Sequence, residues 1–177
     1  NPSNIDLEVI MSGHRTGTLR GGAGTGVSVT RQLKSAFFDP SRLPWTPWVM
    51  EETWFKLLGI NPVTGGFTMM LKVGANNVAP IHGHIGAVEG IILEGGFAYE
   101  DDWGHAGWYV CEPGGVNHKP HTGPDGMVMF AVVNGPLLGY GDSGEIAAVI
   151  DAKTMYALAE SAGVAAHLDK PGHWDHE

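Results

Sequence analysis

The sequence predicts an all-β domain, a double-sheet sandwich or barrel, with one helix near the C-terminus. Three observations carry this. Short runs rich in β-branched and aromatic residues follow one another from Thr53 to Ile150, where strands are expected. Turn signals separate them, in a chain of 177 residues with 27 glycines and 11 prolines. The hydrophobic period changes only after Ile150, from alternation to helical spacing. About nine to ten short strands with regular turns suit two packed sheets better than a helical bundle.

Taken in order, residues 1–40 read as an N-terminal Gly-rich arm. Six glycines fall between Gly13 and Gly26, but no Lys-Ser/Thr follows, so a phosphate loop is not expected. Val29 to Phe38 fits a short helix or a strand. Residues 41–163 read as a single domain, opening on Trp45 and Trp48 beside prolines. Trp54–Ile60 and Phe67–Val73 form a hairpin, because Asn61-Pro62 to Gly65-Gly66 is turn chemistry. Val88–Glu94 is the next long strand, and Gly95-Gly96 is expected to turn the chain into Phe97–Glu100. Gly107–Glu112 follows, then Pro113-Gly114-Gly115 as a turn. Val128–Asn134, Pro136–Tyr140 and Ile146–Ile150 complete the strands. Asp151 then supplies an N-cap, Met155, Leu158, Ala159 and Ala162 follow helical spacing, and Gly163 stops the helix. Residues 164–177 read as a polar tail, in which His167, His173, Trp174 and His176 are solvated or form an inter-subunit arm.

Composition narrows the function. A net charge of −9 with only ten Lys and Arg argues against a nucleic-acid partner, which needs clustered cations. Residues 1–30 hold no apolar run long enough for a signal peptide or membrane span, and a cytoplasmic protein is expected. Cys111 is the sole cysteine, so no intrachain disulfide forms; in its apolar strand it is expected to be an inert core thiol.

The chemistry concentrates between Gly74 and Thr122. In an extended segment, side chains at i and i+2 share a face, so His82 and His84 aim two imidazoles into one cavity. Gly86 bends the chain, Glu89 on the following strand can return to the same cavity, and Pro113-Gly114-Gly115 delivers His118. Three neutral imidazoles and a carboxylate suit a divalent first-row ion: iron, manganese, nickel, copper or zinc. Trp54, Met69, Phe97, Tyr99, Trp108, Met129 and Phe130 are candidates for the wall of an apolar pocket.

The spacing is specific. Gly74, His82, His84, Glu89 and Gly96 follow one motif with its first gap stretched, and Gly107, Pro113, Gly115 and His118 follow a second. In that order the two resemble the cupin signature, although Thr122 stands where the second motif often has Asn. The resemblance implies a jelly roll. Leu43-Pro44-Trp45 to Trp48, Phe55-Lys56-Leu57-Leu58, Asn61-Pro62 to Gly65 and Gly107 to His118 extend the likeness to the dihydroxyacetophenone-dioxygenase and acetylacetone-cleaving cupins. That likeness implies iron(II) held by His82, His84, Glu89 and His118, with dioxygen and a small hydroxyketone or diketone as substrates and cleavage of a carbon–carbon bond. Glu89 is a ligand that could swing away on substrate binding, and His121 and Lys119 follow the last ligand as an acid–base group and an anion partner. The same motifs are similar to the zinc-binding cupin domain of ChrR-type anti-sigma factors, which implies a sensor, and a redox-neutral metal isomerase or lyase is a further alternative. The aromatic segment Pro40 to Trp54 and the arm offer surfaces for a homodimer or homotetramer.

Overall fold

The computed structural model describes residues 37–176; the glycine cluster and most of the undecided Val29–Phe38 segment lie outside these. Eleven strands and one α-helix follow in order among the described residues. They are β1 (Thr46–Pro47), β2 (Thr53–Asn61), β3 (Gly66–Val73), β4 (His82–His84), β5 (Val88–Tyr99), β6 (Asp102–His105), β7 (Tyr109–Glu112), β8 (Asn117–His118), β9 (His121–Val133), β10 (Leu137–Tyr140), β11 (Ile146–Ile150) and α1 (Ala152–Ser161). The larger sheet runs β1-β2-β3-β9-β5-β6, with β7 also paired to β5, and the smaller runs β11-β10-β4-β8. All pairings are antiparallel, and the result is the expected jelly roll.

The β2–β3 hairpin forms where the turn residues place it. Asn61 Oδ1 accepts from the backbone N–H of Val63 and Thr64, at 3.1 and 3.3 Å, and Gly65 takes the left-handed conformation that this turn needs. Alternation in β2 then sends Phe55 and Leu57 inward, both essentially fully buried. With Ile92 and Met155 they form the tightest part of the core, each contributing about 1.5–3 kcal/mol by burial. Helix α1 is capped as expected: Asp151 Oδ1 accepts from the Thr154 N–H at 2.8 Å, and Gly163 follows the last turn in the left-handed region. The indole Nε1–H of Trp48 donates to Met155 Sδ at 3.2 Å, tying the β1 edge to the helix.

Three local expectations differ from the structure. Gly95-Gly96 is not a turn: β5 continues to Tyr99 through two register shifts, and the reversal comes at Glu100. Gly95 of β5 pairs with Met127 of β9, beside Gly126; both glycines have positive φ, and a side chain on Gly95 would strike the Gly126 carbonyl. The tail is not merely solvated. Ala165 is buried, His167 donates through Nε2 to the Leu57 carbonyl at 2.8 Å, and Trp174 packs against Tyr156. Cys111 is exposed, because the alternation of β7 turns it outward between half-buried Val110 and Glu112. No described helix is long and apolar enough to cross a membrane.

Candidate metal centre

Strand β4 is three residues long, and its pairing places the site. His82 lies opposite His118 of β8, and Gly83 opposite Asn117. Gly83 is required between the two histidines, since a Cβ there would run into Asn117 Oδ1 and the Tyr140 hydroxyl, which donates to that oxygen at 2.9 Å. On the opposite face of β4 the imidazoles of His82 and His84 converge with that of His118. The Nε2 atoms of His84 and His118 are 2.7 Å apart, and those of His118 and His82 are 3.0 Å apart.

These distances have a chemical meaning. His82 Nδ1 lies 3.0 Å from the Pro80 carbonyl, which can only accept, so the proton sits on Nδ1 and Nε2 presents a lone pair. With neutral rings a single Nε2–H aims well at only one neighbour, so the two short contacts among three Nε2 atoms are not both met by well-aligned hydrogen bonds when His82 presents a lone pair and His118 is the shared partner. A cation bound at about 2.0–2.1 Å by adjacent imidazoles brings their nitrogens to about 3 Å, close to the spacing found. His82, His84 and His118 are the one group among the described residues that could hold a metal. Burial and mutual proximity favour the neutral, ligating form: His84 and His118 are pushed down to about 4, and His82 is lowered by burial. His84 Nδ1 is buried without a partner, which leaves the shared Nε2 side as its only polar contact.

The carboxylate beside them is not Glu89. Val88, Gly90 and Ile92 face the interior of β5, so Glu89 falls on the exposed face, accepting from the Tyr109 hydroxyl at 2.7 Å. Its place is taken by Glu112, the last residue of β7. Glu112 Oε2 is 3.5 Å from His84 Nε2, and Oε1 is 3.8 Å from His118 Nε2. Tyr99 donates its hydroxyl to Glu112 Oε1 and stacks on the His118 ring at 4.9 Å. Burial pushes the Glu112 carboxyl up to about 7, poised between acid and base in the absence of a cation. Sequence reasoning missed Glu112 because motif spacing was counted without strand parity; its position two residues after inward-facing Val110 was the available signal.

A cavity of about 400 Å³ opens off the centre, between the sheets. His82, His84, Glu112 and His121 border it, and Met69, Phe97 and Met129 stand in its wall as expected. Trp54 does not, since its ring lies on the other face under Lys72, and Trp108 and Phe130 are exposed. His121 sets its ring edge against Trp103 at 5.2 Å, and no hydrogen bond among the described residues joins it to the three imidazoles. Lys119 is exposed. Thr122 at the Asn position of the motif is structural: its hydroxyl donates to the Gly74 carbonyl at 2.7 Å and accepts from the Asn77 N–H at 3.0 Å, holding the loop before β4.

Comparison with known proteins agrees with this geometry. None of the curated proteins compared with the chain matches it. Among solved structures, a cupin protein of the RmlC-like type from Ralstonia eutropha JMP134 is 27% identical, with a TM-score of 0.70 over 78% of this chain and 93% of its own. An acetylacetone dioxygenase from Acinetobacter johnsonii shares the fold at 19% identity, with a TM-score of 0.67 over 75% of this chain and 95% of its own. The model of the ChrR cupin-like domain matches residues 33–138, which include the whole histidine centre. The chain therefore belongs to the cupin superfamily, in the ChrR cupin-like domain family.

Proposed function

We propose that the chain is a metal-dependent dioxygenase that holds iron(II) through His82, His84 and His118 and cleaves a carbon–carbon bond of a small hydroxyketone or diketone. The observation that carries this is a three-imidazole centre opening directly into an apolar cavity, with the half-buried Glu112 carboxyl at its edge. Three protein ligands leave coordination positions for a substrate; a closed structural site uses four. The fold shared with the A. johnsonii acetylacetone dioxygenase supports the same choice. Manganese, nickel, copper and zinc suit the same donors, and iron(II) is the assignment because the proposed reaction consumes dioxygen.

When bound, the ion supplies Lewis acidity toward the substrate oxygens and electrons for dioxygen. The chain supplies the rest. Pro80 fixes the tautomer of His82 and so the direction of its lone pair. The Tyr99 hydroxyl holds Glu112 Oε1, leaving Oε2 to take the proton that an enolisable substrate gives up. Met69, Phe97 and Met129 keep water from the reacting carbon. His121, bordering the cavity, is proposed as a second proton-exchanging group. A homo-oligomeric, cytoplasmic enzyme is part of the proposal.

A zinc-binding sensor is the second reading, favoured by the match to the ChrR cupin-like domain. Metal content separates the two. Protein purified without affinity metal is expected to hold close to one iron per chain and to take up oxygen with a diketone. Firmly held zinc, with no uptake after exchange to iron(II), would establish the sensor reading instead.

A further inference from the structure

We infer that the outer face of the larger sheet, turned away from the histidine centre, is where two copies of this chain dock, face to face about a two-fold axis that runs along β9. This gives the proposed homo-oligomer a surface and a symmetry, and it depends neither on the metal nor on the proposed reaction.

The residue pattern asks for a cover. A strand with one face in solvent alternates apolar and polar residues, whereas a strand buried on both faces is apolar throughout. Strand β9 is of the second kind, since every residue from Met127 to Val133 is apolar. Met127, Met129, Ala131 and Val133 line the cavity between the sheets, so Val128, Phe130 and Val132 point outward. Pairing extends this outward set across the sheet: Met70 of β3, Phe130 of β9, Ile91 of β5 and Tyr109 of β7 stand opposite one another in turn. Phe130, Ile91, Leu93 and Tyr109 are 36, 38, 44 and 60% exposed, in the middle of a sheet whose other face is core. From β2 to β7 is about 19 Å, and Val128 to Val132 spans about 17 Å, which makes roughly 300 Å² before the rim is counted. Exposed apolar patches of that size mark interaction sites.

Charge says which partner fits. Among the described residues the cations of this face are Lys56 on β2 and Lys72 on β3, and its anions are Glu89 and Glu94 on β5, with β9 between the two signs. Lys72 and Glu94 flank the same residue, Val128, from opposite sides. A two-fold axis along β9 lays β3 of one copy over β5 of the other, within the aligned geometry in which sheets pack. Each Lys72 then meets Glu94 of the second copy, Met70 meets Ile91, and Phe130 meets its own counterpart. An axis across the strands would instead set Lys56 on Lys56 and Glu89 over Glu94, like charge on like. The four charges cancel, so this face lets a second copy approach although the whole chain carries −9. An apolar centre with charges toward its edges is also how protein interfaces are built.

The test is sedimentation equilibrium of the full chain over concentrations from about 1 to about 100 μM, with and without zinc(II). The unaltered chain is expected to dimerise with a Kd in the micromolar range, whether or not zinc is bound. Phe130→Glu, which sets two carboxylates together at the axis, should raise the Kd about 100-fold or more. Lys72→Glu or Glu94→Lys alone places like charges face to face and should weaken the dimer about tenfold, while the two together should return it to within about threefold of the original. Both of these residues are exposed, so the charge exchange decides the matter even where Phe130→Glu does not fold. A chain that stays monomeric at about 100 μM, a dimer untouched by Phe130→Glu, or single exchanges that do not weaken it or are not rescued by the double would overturn the inference. Oxygen uptake is read separately: a dimer with this behaviour and no uptake removes the dioxygenase reading and leaves the interface, and uptake by a monomer does the reverse.

Discussion

Replacing Glu112 by Gln should weaken metal binding, and replacing Glu89 by Gln should not. The two carboxylates are distinguished by where strand parity puts them. Glu112 lies 3.5 and 3.8 Å from the Nε2 atoms of His84 and His118, in a site where burial alone holds its carboxyl near 7. A divalent ion at the centre would therefore sit within a few ångströms of a carboxylate with little water between. At an effective dielectric of about 20, one pair of unit charges 4 Å apart is worth about 4 kcal/mol, before the cost of ionising the buried group is subtracted. The net expectation is the range for groups adjoining a metal's ligands, about 10- to 100-fold in affinity, or roughly 1.4–2.7 kcal/mol. Gln keeps the volume and still accepts from Tyr99, so the loss would report charge, not collapse. Glu89 is exposed and bonded to Tyr109, and its replacement should change affinity by less than about twofold. Competition titration of zinc(II) against a chelating dye, at pH 7, measures both. Loss on Glu89→Gln with none on Glu112→Gln would refute the assignment and restore Glu89 as the fourth ligand.

The remaining predictions concern the frame around the site. Met155→Ala empties a fully buried position and removes the acceptor of the Trp48 indole; it should cost about 2–5 kcal/mol and lower Tm by roughly 5–15 °C in calorimetry. Gly95→Ala combines a positive φ with a collision against the Gly126 carbonyl, and urea unfolding should show a loss of about 2 kcal/mol or more. The metal-free protein should lose stability on acidification. Between about pH 6.5 and 4.5 the unfolded chain protonates two histidines that the fold keeps neutral, and the fold protonates Glu112, which the unfolded chain leaves ionised. The unfolded state thus binds about one more proton, a slope on the order of 1 kcal/mol per pH unit, with stability rising toward neutral pH. Denaturant titrations at pH 5 and 6.5 check the sign, and a flat or reversed profile would contradict it.

How much of this was legible beforehand depends on which physical signal each residue carries. Asn61 and Gly65, Asp151 and Gly163, and the His82-Gly83-His84 triplet act locally, through side-chain capping, positive φ and two-residue alternation, so sequence alone located the hairpin, the helix and the side chains that the fold gathers into the three-imidazole cluster. Glu89 failed because its face is set by its neighbours Val88 and Gly90 packing inward, and the same parity error hid both Glu112 and the exposure of Cys111. Gly95-Gly96 failed for another reason. Two glycines signal a backbone that must depart from the ordinary strand, but whether it turns or bulges is decided by Gly126 on β9, more than thirty positions away. The tail failed likewise, since its anchor is the carbonyl of Leu57, a partner with no sequence signature.

The central claim is that the three-histidine centre activates dioxygen beside a small diketone. Oxygen uptake by the iron(II)-loaded chain on adding 1-phenyl-1,3-butanedione tests it most directly. The account predicts uptake in proportion to substrate consumed, absent with zinc(II) and lost in His118→Ala. No uptake with iron(II), in protein shown to hold the metal and bind the diketone, would contradict it.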